Sequence, residues 1–239
     1  MKVLNVSRVS KSYPAFALRE VSFGMEKGTI MGFIGRNGAG KTTTLKSILN
    51  IVHVDSGSVF YFDMDMNEHE SAIKQRIGFA GGAVDYFKKK KIRDLIDVTK
   101  RFYDNWDEVA YQKYMELFAL NEEKTPAELS QGMKVKLNLA IALSHKAELL
   151  ILDEPTSGLD PVSREELLMI FQYLKAQGVA ILFSTHITSD LDKCADDITY
   201  IRDGQVLYSG SLQEFTKGRK LEEVMLQYEK ETFHEKFDL

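Results

Sequence analysis

The stretch of sequence that decides the fold reads Thr29-Ile30-Met31-Gly32-Phe33-Ile34-Gly35-Arg36-Asn37-Gly38-Ala39-Gly40-Lys41-Thr42. Its first half, Thr29–Ile34, is a mostly apolar run that ends at a glycine, which predicts a buried strand. Its second half leads into Gly40–Asn50, where Leu45 and Ile48 share one face of a predicted helix. The stretch therefore predicts a strand, a glycine-rich loop and a helix in direct succession.

The loop from Gly35 to Thr42 fits the pattern G-x-x-x-x-G-K-[ST] between a strand and a helix. Glycines let backbone N–H groups approach phosphate oxygens, and the helix N-terminus adds positive potential. Lys41 supplies a cation for the β- and γ-phosphates, and the Thr42 hydroxyl is a suitable ligand for Mg²⁺. The loop therefore predicts a nucleotide-phosphate site, against the alternative of an ordinary glycine-rich turn.

The composition of the 239 residues is that of a globular protein, with 44% hydrophobic and 28% charged residues. The single cysteine, Cys194, excludes a disulfide framework and fits a reducing compartment. The net charge of −4 argues against a general nucleic-acid binder, which is more often basic. No signal peptide is expected, and no apolar run approaches the ~20 residues of a membrane helix.

Strands and helices alternate near both ends of the chain. Apolar runs at Ile77–Ala80, Leu149–Leu152 and Val179–Ser184 predict buried strands of a parallel sheet. The stretch from Ile92 to His145 is mostly helical in its periodicity. This order predicts a parallel α/β core with a helical insertion.

Shorter elements flank this core. Val3–Val6 and Val21–Met25 predict short strands around a turn at Tyr13-Pro14. In the tail, apolar residues at helical spacing predict a helix over Leu221–Tyr228.

Two carboxylates follow the apolar run that ends at Leu152. Asp153 and Glu154 lie where the strand ends of such sheets face the ligand crevice. Neighbouring strand residues point to opposite sides, so Asp153 is expected near Mg²⁺ and Glu154 near an attacking water. The alternative is a solvated turn between strand and loop.

Four further segments carry a family resemblance. They are Leu129-Ser130-Gln131-Gly132-Met133, Ser157-Gly158-Leu159-Asp160, Thr185-His186 and the aromatic Tyr13. Along the chain the order is Tyr13, the phosphate loop, Leu129–Met133, Leu149–Pro155, Ser157–Asp160 and Thr185-His186. This ordered set resembles the nucleotide-binding subunit of ABC transporters. The resemblance covers about residues 2–210 and is strongest to bacterial exporter ATPases of the ABC-2 kind.

The resemblance implies an α/β P-loop NTPase fold of the RecA-like kind, with an antiparallel β subdomain and an inserted α-helical subdomain. It places the ATPase domain at residues 1–210, with a core of 1–82 and 146–210 and a helical subdomain at about 83–145. Residues 211–239 are then an accessory helical tail.

The resemblance also implies roles for individual residues. Tyr13 would stack on adenine, and His186 would contact the γ-phosphate and hold Glu154, which polarises the water. Asp153 would join Thr42 at Mg²⁺. The phosphates would be held by Gly35, Asn37, Gly38, Ala39, Gly40, Lys41, Thr42 and Thr43. The nucleotide of a second subunit would meet Ser130 and Gly132, with Asp160 at the dimer interface.

Two departures from the family pattern stand out. In the LSGGQ signature, Gln131 and Met133 replace the third and fifth residues, but the serine and second glycine are kept. The position of a glutamine that touches Mg²⁺ in the family is occupied by Gly82, and Asp85 is a candidate substitute or a solvated loop residue.

Two groups of charged or titratable residues carry weaker signals. The run Lys88–Lys91 is either a partner contact or, more simply, a solvated loop. The remaining histidines are expected at the surface because none lies in a motif or pairs at ligand spacing. They are His53, His69, His145 and His234.

The sequence thus favours the ATPase subunit of an ABC transporter, binding ATP and Mg²⁺. By the resemblance, it would form a homo- or heterodimer, act on a separate integral membrane permease at the inner face of the cell membrane, and serve export. The alternative is a slow, nucleotide-gated regulatory module that does not power transport. No nucleic-acid partner is expected.

Overall fold

The computed structural model describes residues 2–81 and 89–228, and its fold is mixed α/β. The strands are β1 (Lys2–Tyr13), β2 (Phe16–Glu26), β3 (Ile30–Ile34), β4 (Ser56–Tyr61), β5 (Met64–Asp65), β6 (Ile77–Gly81), β7 (Leu149–Asp153), β8 (Ala180–Thr185), β9 (Asp197–Arg202) and β10 (Gln205–Ser211). The α-helices are α1 (Lys41–Ile48), α2 (Glu70–Lys74), α3 (Ile92–Thr99), α4 (Glu108–Leu117), α5 (Gln131–Ser144), α6 (Pro161–Ala176), α7 (Thr188–Cys194), α8 (Leu212–Thr216) and α9 (221–228).

The central sheet has the order β10-β9-β3-β8-β7-β6. Its strands run parallel except for β10, which pairs antiparallel with β9. Every residue of β3 and β8 is buried. Such fully buried parallel strands read as continuous apolar runs, which is why the sequence located them.

The second sheet is antiparallel, with the order β2-β1-β4-β5. Its apolar face shares a core with α1 and the central sheet, in which Val6 and Tyr61 join Leu45 and Phe33. The predicted fold, a P-loop core with an antiparallel sheet and inserted helices, is confirmed.

Helices α3 to α5 lie between β6 and β7 in the chain. They pack on the other side of the sheet, where Ile96, Tyr111 and Leu139 share a core with Leu150 and Phe183. Within residues 2–81 and 89–228, no helix is long and apolar enough to span a bilayer. The predicted domain boundaries stay a prediction.

The tail packs on this same core. Phe215 and Leu221 are buried, and the ring of Tyr228 stacks on Phe215 with centroids 5.4 Å apart. The backbone N–H of Leu221 donates to Asp192 of α7 at 3.1 Å. The predicted helix over Leu221–Tyr228 is confirmed as α9.

Two expectations from the sequence were wrong. The strands β1 and β2 are much longer than predicted, because register shifts at irregular positions keep them paired up to Tyr13 and Phe16. His145 is only 1% exposed rather than at the surface. Its ring stacks on Tyr103 with centroids 3.8 Å apart, and its Nδ1 lies 3.1 Å from the carbonyl oxygen of Gln75.

The remaining predictions for histidines and for the loop after β6 have different outcomes. His53 and His69 are exposed, as expected. Gly82, Asp85, Lys88 and His234 lie outside the described residues. Of the lysine run, Lys91 pairs with Glu123 at 2.7 Å on the surface.

Candidate nucleotide-binding site

The phosphate loop joins β3 to α1 and depends on glycine at two positions. A Cβ at Gly35 would lie 2.3 Å from the carbonyl oxygen of Ile201, so only glycine permits this close backbone approach. Gly40 precedes α1 with a φ of 111°, and a Cβ there would lie 2.7 Å from Cζ of Phe16. These constraints fix the path of the loop around the N-terminus of α1.

Lys41 is the first residue of α1 and is only 6% exposed. Its Nζ donates to the carbonyl oxygen of Gly35 at 2.8 Å and lies 3.4 Å from Oε1 of Glu154. A buried ammonium group needs such partners, because burial without them is costly. The cation is thereby held at the centre of the loop.

Three parallel strands bring the next groups to the same edge of the sheet. In the strand register, Ile34 lies beside Thr185, and Ser184 lies beside Asp153. The carboxyl ends of parallel strands meet at one edge, so β3, β7 and β8 deliver the loop, the carboxylates and His186 together.

Glu154 follows the end of β7 and has a left-handed backbone, with a φ of 52°. Such a conformation is uncommon for a residue with a side chain and often marks a functional site. Its Oε2 lies 2.8 Å from Nδ1 of His186, which is the donor because an ionised carboxylate only accepts. The carboxylate thus lies between an imidazole and the Lys41 ammonium group.

A cavity of about 670 Å³ opens over these groups. It is large enough for a nucleotide-sized ligand. The predicted residues that line it are Asn37, Gly38, Gly40, Lys41, Thr42, Thr43, Glu154 and His186. Gly35 and Ala39 are buried within the loop behind this surface, and Asp153 lies behind Glu154, its Oδ1 accepting from Ser184.

Sequence reasoning missed an aromatic residue at the cavity. Phe16, which begins β2, lines the cavity together with Ala15. Phe16 pairs directly with Tyr13 across the hairpin, so both side chains lie on one face of it. Tyr13, which was expected to stack on adenine, is 42% exposed and is not among the residues that line the cavity. No local pattern marks Phe16, because its place at the cavity depends on how the hairpin packs over the loop at Gly40.

The segment with Ser130 and Gly132 lies apart from this cavity. Ser130 is the N-cap of α5, its Oγ accepting the backbone N–H of Met133 at 3.2 Å. A Cβ at Gly132 would lie 3.8 Å from Cβ of Ser163, so the start of α5 lies beside the start of α6. The structure therefore brings Ser130 and Gly132 together with Asp160, and none of the three lines the cavity.

Asp160 is the N-cap of α6, where Pro161 is the first helical residue. Its Oδ1 accepts the backbone N–H groups of Val162 and Ser163 at 3.0 and 3.1 Å. Hydrogen bonds from the Ser163 hydroxyl and from these N–H groups lower the pKa of Asp160. Asp160 therefore caps α6, and its carboxylate is ionised at the exposed end of the helix.

Comparisons with known proteins agree with this geometry. A family model described as ABC transporter matches residues 18–157. The ABC transporter ATP-binding protein YtrB of Bacillus subtilis (strain 168) is 31% identical over 198 residues, which cover 82% of this chain and 68% of YtrB. The bacitracin transport ATP-binding protein BcrA of Bacillus licheniformis is 31% identical over 209 residues, 86% of this chain and 68% of BcrA.

A solved structure described as that of an ATP-binding subunit of an ABC transporter superposes with a TM-score of 0.84. It is 26% identical and covers 94% of this chain and 98% of the solved chain. The family model matches more than half of the sequence, and the matched residues include the phosphate loop and the acidic end of β7. The chain therefore belongs to the ABC transporter family, as an ATP-binding subunit that hydrolyses ATP.

Proposed function

We propose that this chain binds ATP with Mg²⁺ in the cavity, pairs head to tail with a second ATPase subunit around two nucleotides, and drives a separate membrane permease. One observation carries the proposal. The phosphate loop, Glu154 and His186 surround one cavity, whereas Ser130 and Asp160 lie on helix ends away from it.

The phosphate loop holds the nucleotide through charge and backbone donors. Lys41 provides the cation for the β- and γ-phosphates, with Asn37, Gly38, Thr42 and Thr43 lining the same wall. The N-terminus of α1 adds positive potential at this point. Phe16 also lines the cavity and offers an aromatic face to the adenine base, and its hairpin neighbour Tyr13 is exposed on the same face of the hairpin.

The residues present fit Mg²⁺. A threonine hydroxyl and a carboxylate are oxygen ligands of the kind that Mg²⁺ prefers, with phosphate oxygens and water completing its shell. Thr42 and Asp153 would hold the ion. When bound, it supplies positive charge to the phosphate oxygens as charge develops on them.

Glu154 is the general base of the proposed reaction. It takes a proton from a water whose oxygen attacks the γ-phosphorus, while the bond from that phosphorus to the bridging oxygen of ADP breaks. The products are ADP and phosphate. His186 fixes the direction of the carboxylate through its 2.8 Å contact and faces the γ-phosphate side of the cavity.

The second subunit supplies Ser130 and Gly132. Both lie at the N-terminus of α5, a helix of fourteen residues whose end attracts anions. Ser130 is exposed, so it is accessible to the γ-phosphate of a nucleotide held by another chain. Asp160 lies beside this surface and is placed at the same interface.

The permease is proposed to dock at an apolar groove of about 430 Å³ between α3 and α5. Its walls include Ile92, Leu95, Ile96, Leu137 and Ile141, with Lys90 at the edge. Val98 also lines it and is 55% exposed, and Phe102, four residues further along the chain, is 71% exposed. An amphipathic helix of the permease would cover these side chains and hold the subunit at the inner face of the cell membrane.

Export is the proposed direction, by the resemblance of the sequence to exporter ATPases of the ABC-2 kind, and a similar protein is described as a bacitracin transport protein. The alternative of a regulatory module is not favoured, since the relatives reported above are transporter subunits.

Co-purification from membranes tests this function. The wild-type chain is expected to bring down a multi-span membrane protein, and that complex should hydrolyse ATP. Phe102→Asp and Val98→Asp should lose the membrane protein but keep ATP binding. Leu207→Asp, on β10 and 41% exposed, is the matched control and should keep both. Retention of the membrane protein by Phe102→Asp and Val98→Asp would exclude this docking groove.

A further inference from the structure

We propose that Ser184 is a positioning residue that couples the two carboxylates of the site, Asp153 and Glu154. The inference rests on the proposed roles of these two acids. It adds a group that the phosphate loop and signature segments do not include.

The Ser184 hydroxyl lies between the two acids. Ser184 is on β8, is fully buried, and lies directly beside Asp153 in the parallel register. Its Oγ donates to Oδ1 of Asp153 at 2.5 Å and accepts the backbone N–H of Glu154 at 2.9 Å. A hydroxyl has one proton and two lone pairs, so both bonds form at once.

The bond to the Glu154 N–H supports a strained backbone. Glu154 has a φ of 52°, and its N–H also approaches the carbonyl oxygen of Ser184 at 3.2 Å. Residues in this region persist only where their surroundings hold them. Ser184 provides both acceptors, so it holds the turn that sends the Glu154 side chain toward His186 and Lys41.

The bond to Asp153 fixes the rotation of that carboxylate. Because the hydroxyl already accepts from Glu154, its own proton is directed at Oδ1 of Asp153. Partners that orient a metal-ligating carboxylate raise metal affinity and activity, and their loss typically costs about 10- to 100-fold. Ser184 therefore links the position of the general base to the orientation of the group proposed to hold Mg²⁺.

The test compares Ser184→Ala with a matched control. Ser144 is also fully buried, and its Oγ donates to the carbonyl oxygen of Ala140 at 2.6 Å in α5, away from the site. Both alanine variants remove one buried hydroxyl. Ser144→Ala is expected to leave turnover, metal dependence and nucleotide binding unchanged.

For Ser184→Ala we expect kcat to fall by about 10- to 100-fold with little change in the KM for ATP. Calorimetry with ADP should show metal-free binding like that of wild type and a weaker gain on adding Mg²⁺. Hydrogen exchange at the Glu154 amide should become faster, which loss of packing elsewhere would not cause. Ser184→Thr keeps the hydroxyl and should recover most of each property, and Ser184→Cys should lie between.

The outcomes separate a failure of the proposal for Ser184 from a failure of the proposed role of Glu154. If Ser184→Ala keeps wild-type kcat, Mg²⁺ dependence and amide protection while Glu154→Gln is inactive, the coupling by Ser184 is refuted and the proposed function stands. If Glu154→Gln keeps full turnover, the role of Glu154 is wrong. If Ser184→Ala and Ser144→Ala lose activity equally, the Ser184 hydroxyl has no positioning role. If Ser184→Ala fails to fold but Ser184→Cys folds and behaves as wild type, the hydroxyl likewise has no positioning role.

Discussion

The cavity face and the face that carries Ser130 and Asp160 are built in different ways. The cavity face lies at the carboxyl ends of β3, β7 and β8. Its side chains contact one another within the chain, since Glu154 lies beside both Lys41 and His186. Ser130 and Asp160 are exposed helix caps, each bonded to its own helix. The groups of the cavity face contact one another within one chain, whereas the second face carries helix N-termini that are exposed and contact no group of that cavity.

This difference predicts that the two faces respond differently to substitution. A change on the cavity face should alter chemistry or nucleotide affinity in every chain. A change at Ser130 should alter only what happens between chains.

The largest effect is expected for Glu154→Gln. Loss of a general base typically costs about 10²- to 10⁴-fold in turnover. ATP binding should persist because the phosphate loop is untouched, and ATP should trap a dimer. Steady-state ATPase assays with gel filtration measure both, and near wild-type turnover would remove Glu154 from this role.

Ser130→Arg should have the next largest effect. A bulky cation at the start of α5 blocks close approach of a second subunit, so ATP-driven dimerisation should be abolished. Nucleotide affinity of the monomer should stay nearly unchanged, since Ser130 does not line its cavity. Sedimentation measures dimerisation, and nucleotide titration measures the affinity of the monomer. If both faces served one chain, the affinity of the monomer would be lost together with dimerisation.

Phe16→Ala should weaken ATP binding by about 5- to 150-fold, because loss of aromatic stacking on a base costs about 1–3 kcal/mol. Tyr13→Ala is the comparison, since Tyr13 lies on the same hairpin face but is more exposed. Equilibrium binding of ATP to the two variants shows which of the two rings contributes more to ATP affinity. Wild-type affinity in Phe16→Ala would mean that the residue only shapes the loop at Gly40.

The smallest effect concerns His145, which belongs to neither face. Burial lowers its pKa below the ordinary 6.5, so the folded chain resists a proton that the unfolded chain accepts. Stability should therefore fall as the pH drops below about 6.5, by at most about 1.4 kcal/mol per pH unit for one proton.

His145→Phe keeps a ring to stack on Tyr103 but does not titrate. Its unfolding free energy, measured by denaturant between pH 7 and 5.5, should fall less than that of wild type. Parallel pH profiles for the two proteins would show that His145 is not the group responsible.

The features that the sequence predicted well are local. The phosphate loop and the acids after Leu152 each depend on neighbouring residues, whose spacing alone defines the strand end or helix start. Phe16 reaches Gly40, and Ser184 reaches Asp153, across long stretches of chain. Contacts of that kind depend on how strands align, which periodicity does not encode.

The two misjudged features have the same cause. His145 follows α5 and precedes the exposed Lys146, so nothing nearby in the sequence marks it as buried. The packing of the segment at Tyr103 against it decides its environment. The length of β1 and β2 likewise reflects irregular pairing that lets two strands stay together past interruptions in their pattern.

The central claim, that two chains complete each nucleotide site, is tested most directly by cross-linking between chains. One sample of Glu154→Gln carries Asn37→Cys in the exposed phosphate loop, and a second carries Ser130→Cys. The natural Cys194 is buried, and burial raises the pKa of its thiol to about 12, so it should not react.

Mixing the two samples with ATP and a mild oxidant should give a disulfide-linked dimer. Neither sample alone should do so, nor should the mixture without nucleotide. Absence of the cross-link in a mixture that binds ATP normally would contradict the account, as would a dimer that forms equally well without ATP.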